Sequence, residues 1–169
     1  EMANFLGICY CELGDFQKGL VIFNEIASQD NPKYAEDVVK AKENIKLYTN
    51  NRIAKLQGEN DFDGIIAVAD EMLAVNPQDA LAQKIRLQAL FDKKDYAGVI
   101  ASAEEAAAGQ TDEEERSDVY FILGAAYNAR TMPQQAIDAL SKVTAGANVA
   151  AAQKTVAQLK AVSYTHLRA

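Results

Sequence analysis

With 169 residues, 49% of them hydrophobic and only 3 prolines, the chain can bury a sizeable core, which excludes a disordered segment. Alanine, leucine, glutamate, lysine and glutamine dominate and no run of alternating β-branched residues occurs, so helix is expected throughout. A formal charge of -7, with no offsetting cluster of lysine and arginine, would repel a phosphate backbone and excludes nucleic acid as partner.

The expected helices cover 2–13, 15–29, 33–58, 61–75, 78–93, 95–108, 112–130, 133–144 and 147–162. Three of them open at Asp15-Phe16, Asp61-Phe62 and Asp95-Tyr96, where the carboxylate can cap the first unpaired amides and the aromatic begins the buried side. Asn31-Pro32 and Asn76-Pro77 are expected to end helices, because the residue before proline avoids the helical region. Gly109 and Gly146 are expected to supply left-handed C-caps. Tyr34, Val38, Ala41, Ile45 and Tyr48 form a stripe at helical period, so 33–58 reads as one extended helix. A kink is expected at Thr49-Asn50-Asn51, where propensity is weak, with the extra turns 34–45 projecting beyond the edge of the helix pairs. Thr111 with Glu114 reads as a capping box for 112–130. The longest apolar run is far short of a bilayer span, so no membrane insertion is expected in this segment.

Two phrases, Leu6-Gly7-Ile8-Cys9-Tyr10 and Leu123-Gly124-Ala125-Ala126-Tyr127, share Leu-Gly-x-x-Tyr, and Phe62 lies 34 residues before Tyr96. Gly14, Asp15, Phe16, Gly19, Phe23 and Ile26 follow the first phrase, and Ala136, Leu140 and Val143 follow the second. In these markers the chain resembles tetratricopeptide repeats over nearly its whole length. The two middle repeats depart from the pattern. Ile53 with Ile65 and Leu87 with Val99 stand where small residues are usual, and Ala69 and Ala103 where a large aromatic is usual. That is a volume swap along the helix pair at constant packing density. Arg52 and Arg86 stand where the pattern has leucine, either as stems covering apolar surface or as ligand-binding groups.

The resemblance implies an all-α fold, a right-handed α-solenoid of antiparallel helix pairs. It would be a single array over 1–162, with repeats at about 1–33, 46–79, 80–113 and 117–150, extra turns at 34–45 and a terminal helix at 147–162. It implies a non-catalytic protein-interaction scaffold, binding an extended peptide or a partner helix in a concave groove lined by the first helix of each pair. The candidate groove residues are Asn4, Ile8, Asn50, Gln57, Lys84, Gln88, Phe91, Phe121 and Asn128. Their amides can donate to and accept from a peptide main chain, and the two phenylalanines can anchor its side chains. Chaperone-binding members of the family hold a C-terminal carboxylate at positions occupied here by Asn4, Ile8, Asn51, Leu81 and Ile85, of which only Asn51 fits, so no such clamp is expected. Open alternatives are a groove filled by the protein itself, a structural or self-association segment, and the regulatory arm of an enzyme whose catalytic domain lies elsewhere. The chain opens inside a repeat and is read as a fragment of a larger bacterial protein, of the cytoplasm or the periplasm.

Ser163 to Ala169 contain the sole histidine, His166; they are expected to break the helical pattern, resemble a translated sequencing adapter, and are read as non-native. Without His166 no Ser-His-Asp or Cys-His arrangement is available. Cys9 and Cys11, two apart on a helix, point about 200° from each other and cannot share a metal or a disulfide. Glycines occur singly, so no phosphate-cradling loop exists, and the pairs Glu104-Glu105 and Asp70-Glu71 diverge on their helices. The expectation is therefore a protein that is not an enzyme and carries no cofactor.

Overall fold

A computed structural model describes residues 2–166, with side chains to residue 162. Among the described residues the fold is all-α, without strands: α1 Met2–Glu12, α2 Phe16–Ala27, a 3-10 turn Pro32–Tyr34, α3 Ala35–Gly58, α4 Phe62–Val75, α5 Ala80–Asp92, α6 Tyr96–Gly109, α7 Glu113–Ala129, α8 Pro133–Leu140 and α9 Val149–His166. The chain divides into two compact units, Glu1–Ala82 and Gln83–Ala169, with the boundary inside α5.

The connections between helices explain why the elements fall where they do. Gly14, Asn60, Lys94 and Thr131 each have positive φ, at 88°, 54°, 67° and 56°. The next residue then sends its N–H back to the carbonyl five positions earlier: Asp15 to Tyr10, Asp61 to Leu56 and Asp95 to Leu90 at 2.9 Å, and Met132 to Tyr127 at 3.0 Å. One left-handed residue thus satisfies the carbonyls at a helix end and turns the chain for the next helix. In three of the four turns an aspartate follows and accepts an amide of the new helix, Asp15 from Lys18 at 3.2 Å, Asp61 from Gly64 at 2.8 Å and Asp95 from Gly98 at 2.9 Å. The fourth has Met132 there and starts α8 with Pro133 at the first helical position, where a missing N–H costs nothing.

Several sequence expectations need correction. Asn31 does not end α2, which stops at Ala27; it accepts from the Lys33 amide at 3.0 Å and starts the 3-10 turn. Gly109 is helical rather than left-handed, whereas Gly146 has φ 83°. Gly109 is small for another reason, since a Cβ there would run into the Gln83 side chain. The cap of α7 is Asp112, which accepts from the Glu115 amide at 3.0 Å, and not Thr111. The α3 helix runs without interruption through Thr49-Asn50-Asn51, with Thr49 fully buried and its hydroxyl donating to Met72 Sδ at 3.7 Å. At the far end α9 continues through His166, where an end at 162 and a break at Ser163 were expected. The side chains of 163–166 and all of 167–169 lie outside the described residues.

In the first unit α1 packs on α2, α2 on α3 and α3 on α4, and alternate helices also touch, α1 with α3 and α2 with α4. Phe16, Leu20, Phe23, Ala41, Ile45, Ile65, Val68, Ala69 and Met72 form the buried interior. The glycine of the first Leu-Gly-x-x-Tyr phrase admits one of the two phenylalanines among them: a Cβ on Gly7 would strike the Phe23 ring. Full burial of that ring contributes about 1.5–3 kcal/mol. The extra turns 34–45 do not project from the stack. Ala41 and Ile45 are buried, and Tyr48 stacks on Phe23 with centroids 6.3 Å apart, so this half of α3 lies across α1 and α2.

In the second unit α6 packs on α7, α7 on α8 and α8 on α9. Gly124, from the second phrase, repeats the arrangement, because a Cβ there would meet Leu140. Leu87 and Ala103, the swapped pair, are both buried. The α8 helix ends at Leu140, and the buried Ser117 hydroxyl on α7 then accepts the amides of Thr144 and Ala145 at 3.2 and 3.1 Å.

Candidate functional site

The nine candidate residues occupy three registers counted back from the residue that follows each left-handed turn. Asn4, Asn50, Lys84 and Phe121 lie eleven before it, Ile8 and Gln88 seven before, and Gln57, Phe91 and Asn128 four before. The last three hand their carbonyls to the turn, accepting the amides of Asn60, Lys94 and Thr131 at 3.0, 2.9 and 3.0 Å. Their side chains differ in surroundings: Gln57 and Asn128 are exposed, while Phe91 is half-buried and meets Tyr96 edge-on at 5.5 Å.

In the first unit Asn4 is drawn into the seam between α1 and α3. It is 5% exposed, and its amide nitrogen donates to the Asp37 carbonyl at 3.0 Å and to Asp37 Oδ1 at 3.4 Å. Together with half-buried Ile8 it lines a hollow of about 280 Å³ whose other walls are Phe5, Lys40, Glu43 and Asn44. Phe5 stands 67% exposed at its rim. Asn50 and Gln57 lie exposed farther along α3 and do not line this hollow. Lys40, Glu43 and Asn44 were missed in the sequence because they lie on the extra turns, expected to project; the i, i+3, i+4 spacing that puts them on one face was there to be read. Asn4 also borders a second hollow of about 500 Å³ on the other side, enclosed by the ends of α1, α2 and the 3-10 turn and by the first turn of α3.

In the second unit the candidates are largely taken up by internal contacts. The Lys84 ammonium on α5 meets Glu115 and Asp118 on α7, the latter at 2.9 Å, and Asn148 donates to the other Asp118 oxygen at 2.9 Å. Burial alone would lower this ammonium, but the two carboxylates outweigh it and hold the group above its ordinary value. Gln88 donates to Asp92 at 2.9 Å, and Phe121 packs against the cluster of Leu140, Val143 and Ala152. Phe121 therefore supports the joint of α7 with α8 and α9 instead of standing open as an anchor.

Arg52 resolves into the stem-covering arrangement. Its guanidinium lies 4.2 Å from the centre of the Phe16 ring and pairs with Glu71 at 2.7 Å, joining α3 to α2 and α4. Gly19 fits a similarly close contact, since a Cβ there would strike Cys11 Sγ, and burial pushes the Cys11 thiol up, away from reactivity. Among the described residues no His, Cys, Asp and Glu side chains are grouped to hold a metal ion, and no helix is long and apolar enough to cross a membrane. No protein-family model matches the chain, and no curated protein matches it significantly.

Proposed function

We propose that this chain is a non-catalytic protein-interaction scaffold of the tetratricopeptide type, capturing an extended peptide or a partner helix along the seam of α1 and α3. The observation that carries this reading is the hollow in which two candidate residues, Asn4 and Ile8, meet beneath an exposed phenylalanine, Phe5. An apolar rim with the amides of Asn4 and Asn44 beside it offers both anchoring area and main-chain partners. The repeat reading is supported by the four turns with one bonding pattern and by the alternate-helix contacts of the first unit, as expected where each helix pair stacks on the next.

A peptide-display selection on the chain, followed by Phe5→Ala with Ile8→Ala, tests the reading. Capture of the selected peptide should fall about tenfold or more, the loss of one hot-spot contact, while helicity and melting stay close to the parent. Undiminished capture by the folded double variant would move the site off this seam. A second reading, self-association, is favoured by the exposed Met2 and Leu6, which share one face of α1 at i and i+4, with exposed Leu13 in the turn that follows. Light scattering separates the two, since a monomer at tens of micromolar disfavours association.

A further inference from the structure

The geometry points to the outer face of α1, Met2 with Leu6 and Cys9, as the seat of one further helix, supplied by a partner and presenting alanines at the crossing. This face is not the seam: Met2 and Leu6 lie about 200° around the helix from Asn4 and Ile8. Met2 is 88% exposed and Leu6 49%, and Cys9 is half-buried. Residues 2–11 contain no charged side chain, although a helix with a solvated face ordinarily carries charge there. An exposed apolar face of this kind marks an interaction surface.

The chain itself shows what belongs on that face. Counted back from the residue that follows each left-handed turn, Met2, Leu6 and Cys9 stand thirteen, nine and six before, as do Val119, Leu123 and Ala126 on α7. Those three are 0%, 2% and 0% exposed, and residues 119–129 are likewise uncharged. The α7 helix packs on both α6 and α8; α1 has α2 in the place of α8, and its face stays open where α6 would lie. On α3 the same register is covered by α2: Tyr48, thirteen before, stacks on Phe23, and Arg52, nine before, lies over the Phe16 ring. Two kinds of covering helix thus occur, an aromatic one on Tyr48 and Arg52 and an alanine-bearing one on the helix of Val119 and Leu123. With methionine and leucine at these positions α1 matches the second kind, and the covering helix there, α6, buries Val99, Ala103, Ala106 and Ala107. A second copy has no such helix free. Its α2 and α6 bury their apolar faces internally, and α9 turns Val149 and Val156 to Leu140 and Val143 while keeping Gln153, Lys154 and Lys160 outside. The occupant is therefore an alanine-faced amphipathic helix of a partner.

The test uses a synthetic α6 peptide, residues 95–110, held helical by a cross-link between positions 97 and 101, both exposed on α6. It is titrated into the isotope-labelled full chain and followed by amide NMR. Saturable shifts are expected at Leu6, Cys9 and their neighbours on α1 and none at Lys40, Glu43 and Asn44, with a dissociation constant on the order of 100 μM. Leu6→Lys, at an exposed position, should weaken binding about tenfold or more, whereas Ile8→Ala on the seam should leave it unchanged. A peptide carrying Ala103→Glu, Ala106→Glu and Ala107→Glu should not bind. Absence of saturable shifts at millimolar peptide, shifts confined to the seam or to α7, or equal binding of the glutamate peptide would overturn the assignment. Shifts of the same α1 amides on concentrating the chain without peptide would overturn it too, by giving the face to a second copy.

Discussion

At the scale of single residues the turns concentrate the strain. Thr131 holds φ 56° and Lys94 φ 67°, where a Cβ costs about 1–2 kcal/mol relative to the ordinary helical region. Glycine removes that cost at the expense of about 0.5–1 kcal/mol of chain entropy. Thr131→Gly and Lys94→Gly should therefore each stabilise by about 0.5–1 kcal/mol, a rise in melting temperature of about 1–4 °C by calorimetry. A drop would mean that these side chains hold the turn by contacts of their own. The caps act in the opposite direction, and Asp61→Ala should cost about 1 kcal/mol because the Gly64 amide loses its acceptor. Tyr48 carries the clearest pH signature. Desolvation, then its hydrogen bond to Glu12 at 2.7 Å, pushes its phenol up from 10 to about 12. With the folded value above the unfolded one, the contribution is present in full below pH 10 and is lost as pH rises from 10 to 12. Ultraviolet titration of the phenolate should place one tyrosine near 12 and, in Glu12→Gln, return it toward 10.

At the scale of elements the two glycine phrases mark the crossings of α1 with α2 and of α7 with α8. Gly7→Ala should cost about 1–3 kcal/mol by driving a methyl into the Phe23 ring, and Phe23→Leu roughly 1–2 kcal/mol by leaving a void. If the methyl fills that void, the double variant is less destabilised than the sum by about 0.5–1 kcal/mol or more in urea unfolding. Strict additivity would separate the two sites. The same pair shows what the sequence made legible. Helix type, the aspartate caps and the glycine–aromatic crossings follow from local chemistry, and each could be read from a few adjacent residues. What depended on distant packing could not. Nothing local distinguishes extra turns that project from turns that fold back, and that choice rests on Ala41, Ile45 and the Asn4–Asp37 bond. The candidate site suffered accordingly. Asn4 and Ile8 were legible from register alone, but Lys40, Glu43 and Asn44 become their neighbours only through that fold-back. Register alone leaves Phe121 and Lys84 open, because it gives the side of a helix, not what covers it.

At the scale of the whole molecule, stability should be distributed by neighbourhood, since the helix contacts join elements close in sequence. In the first unit α3 packs against α1, α2 and α4, whereas α1 packs against α2 and α3 and leaves Met2, Phe5 and Leu6 exposed. Opening α1 therefore exposes little further apolar surface, while opening α3 uncovers Ala41, Ile45 and Thr49 and breaks the interior around Phe23 and Met72. A helix can open locally when the surface it uncovers is small compared with the chain entropy it regains. Native-state hydrogen exchange should then find the slowest amides of this unit between Ala41 and Thr49 and those of α1 opening at a lower free energy, by about 1 kcal/mol or more. Addition of a captured peptide should slow α1 selectively, because a ligand seated on the seam of α1 and α3 stabilises only states in which both are formed. Equal opening energies for α1 and α3 without peptide would mean that the unit unfolds as one cooperative block.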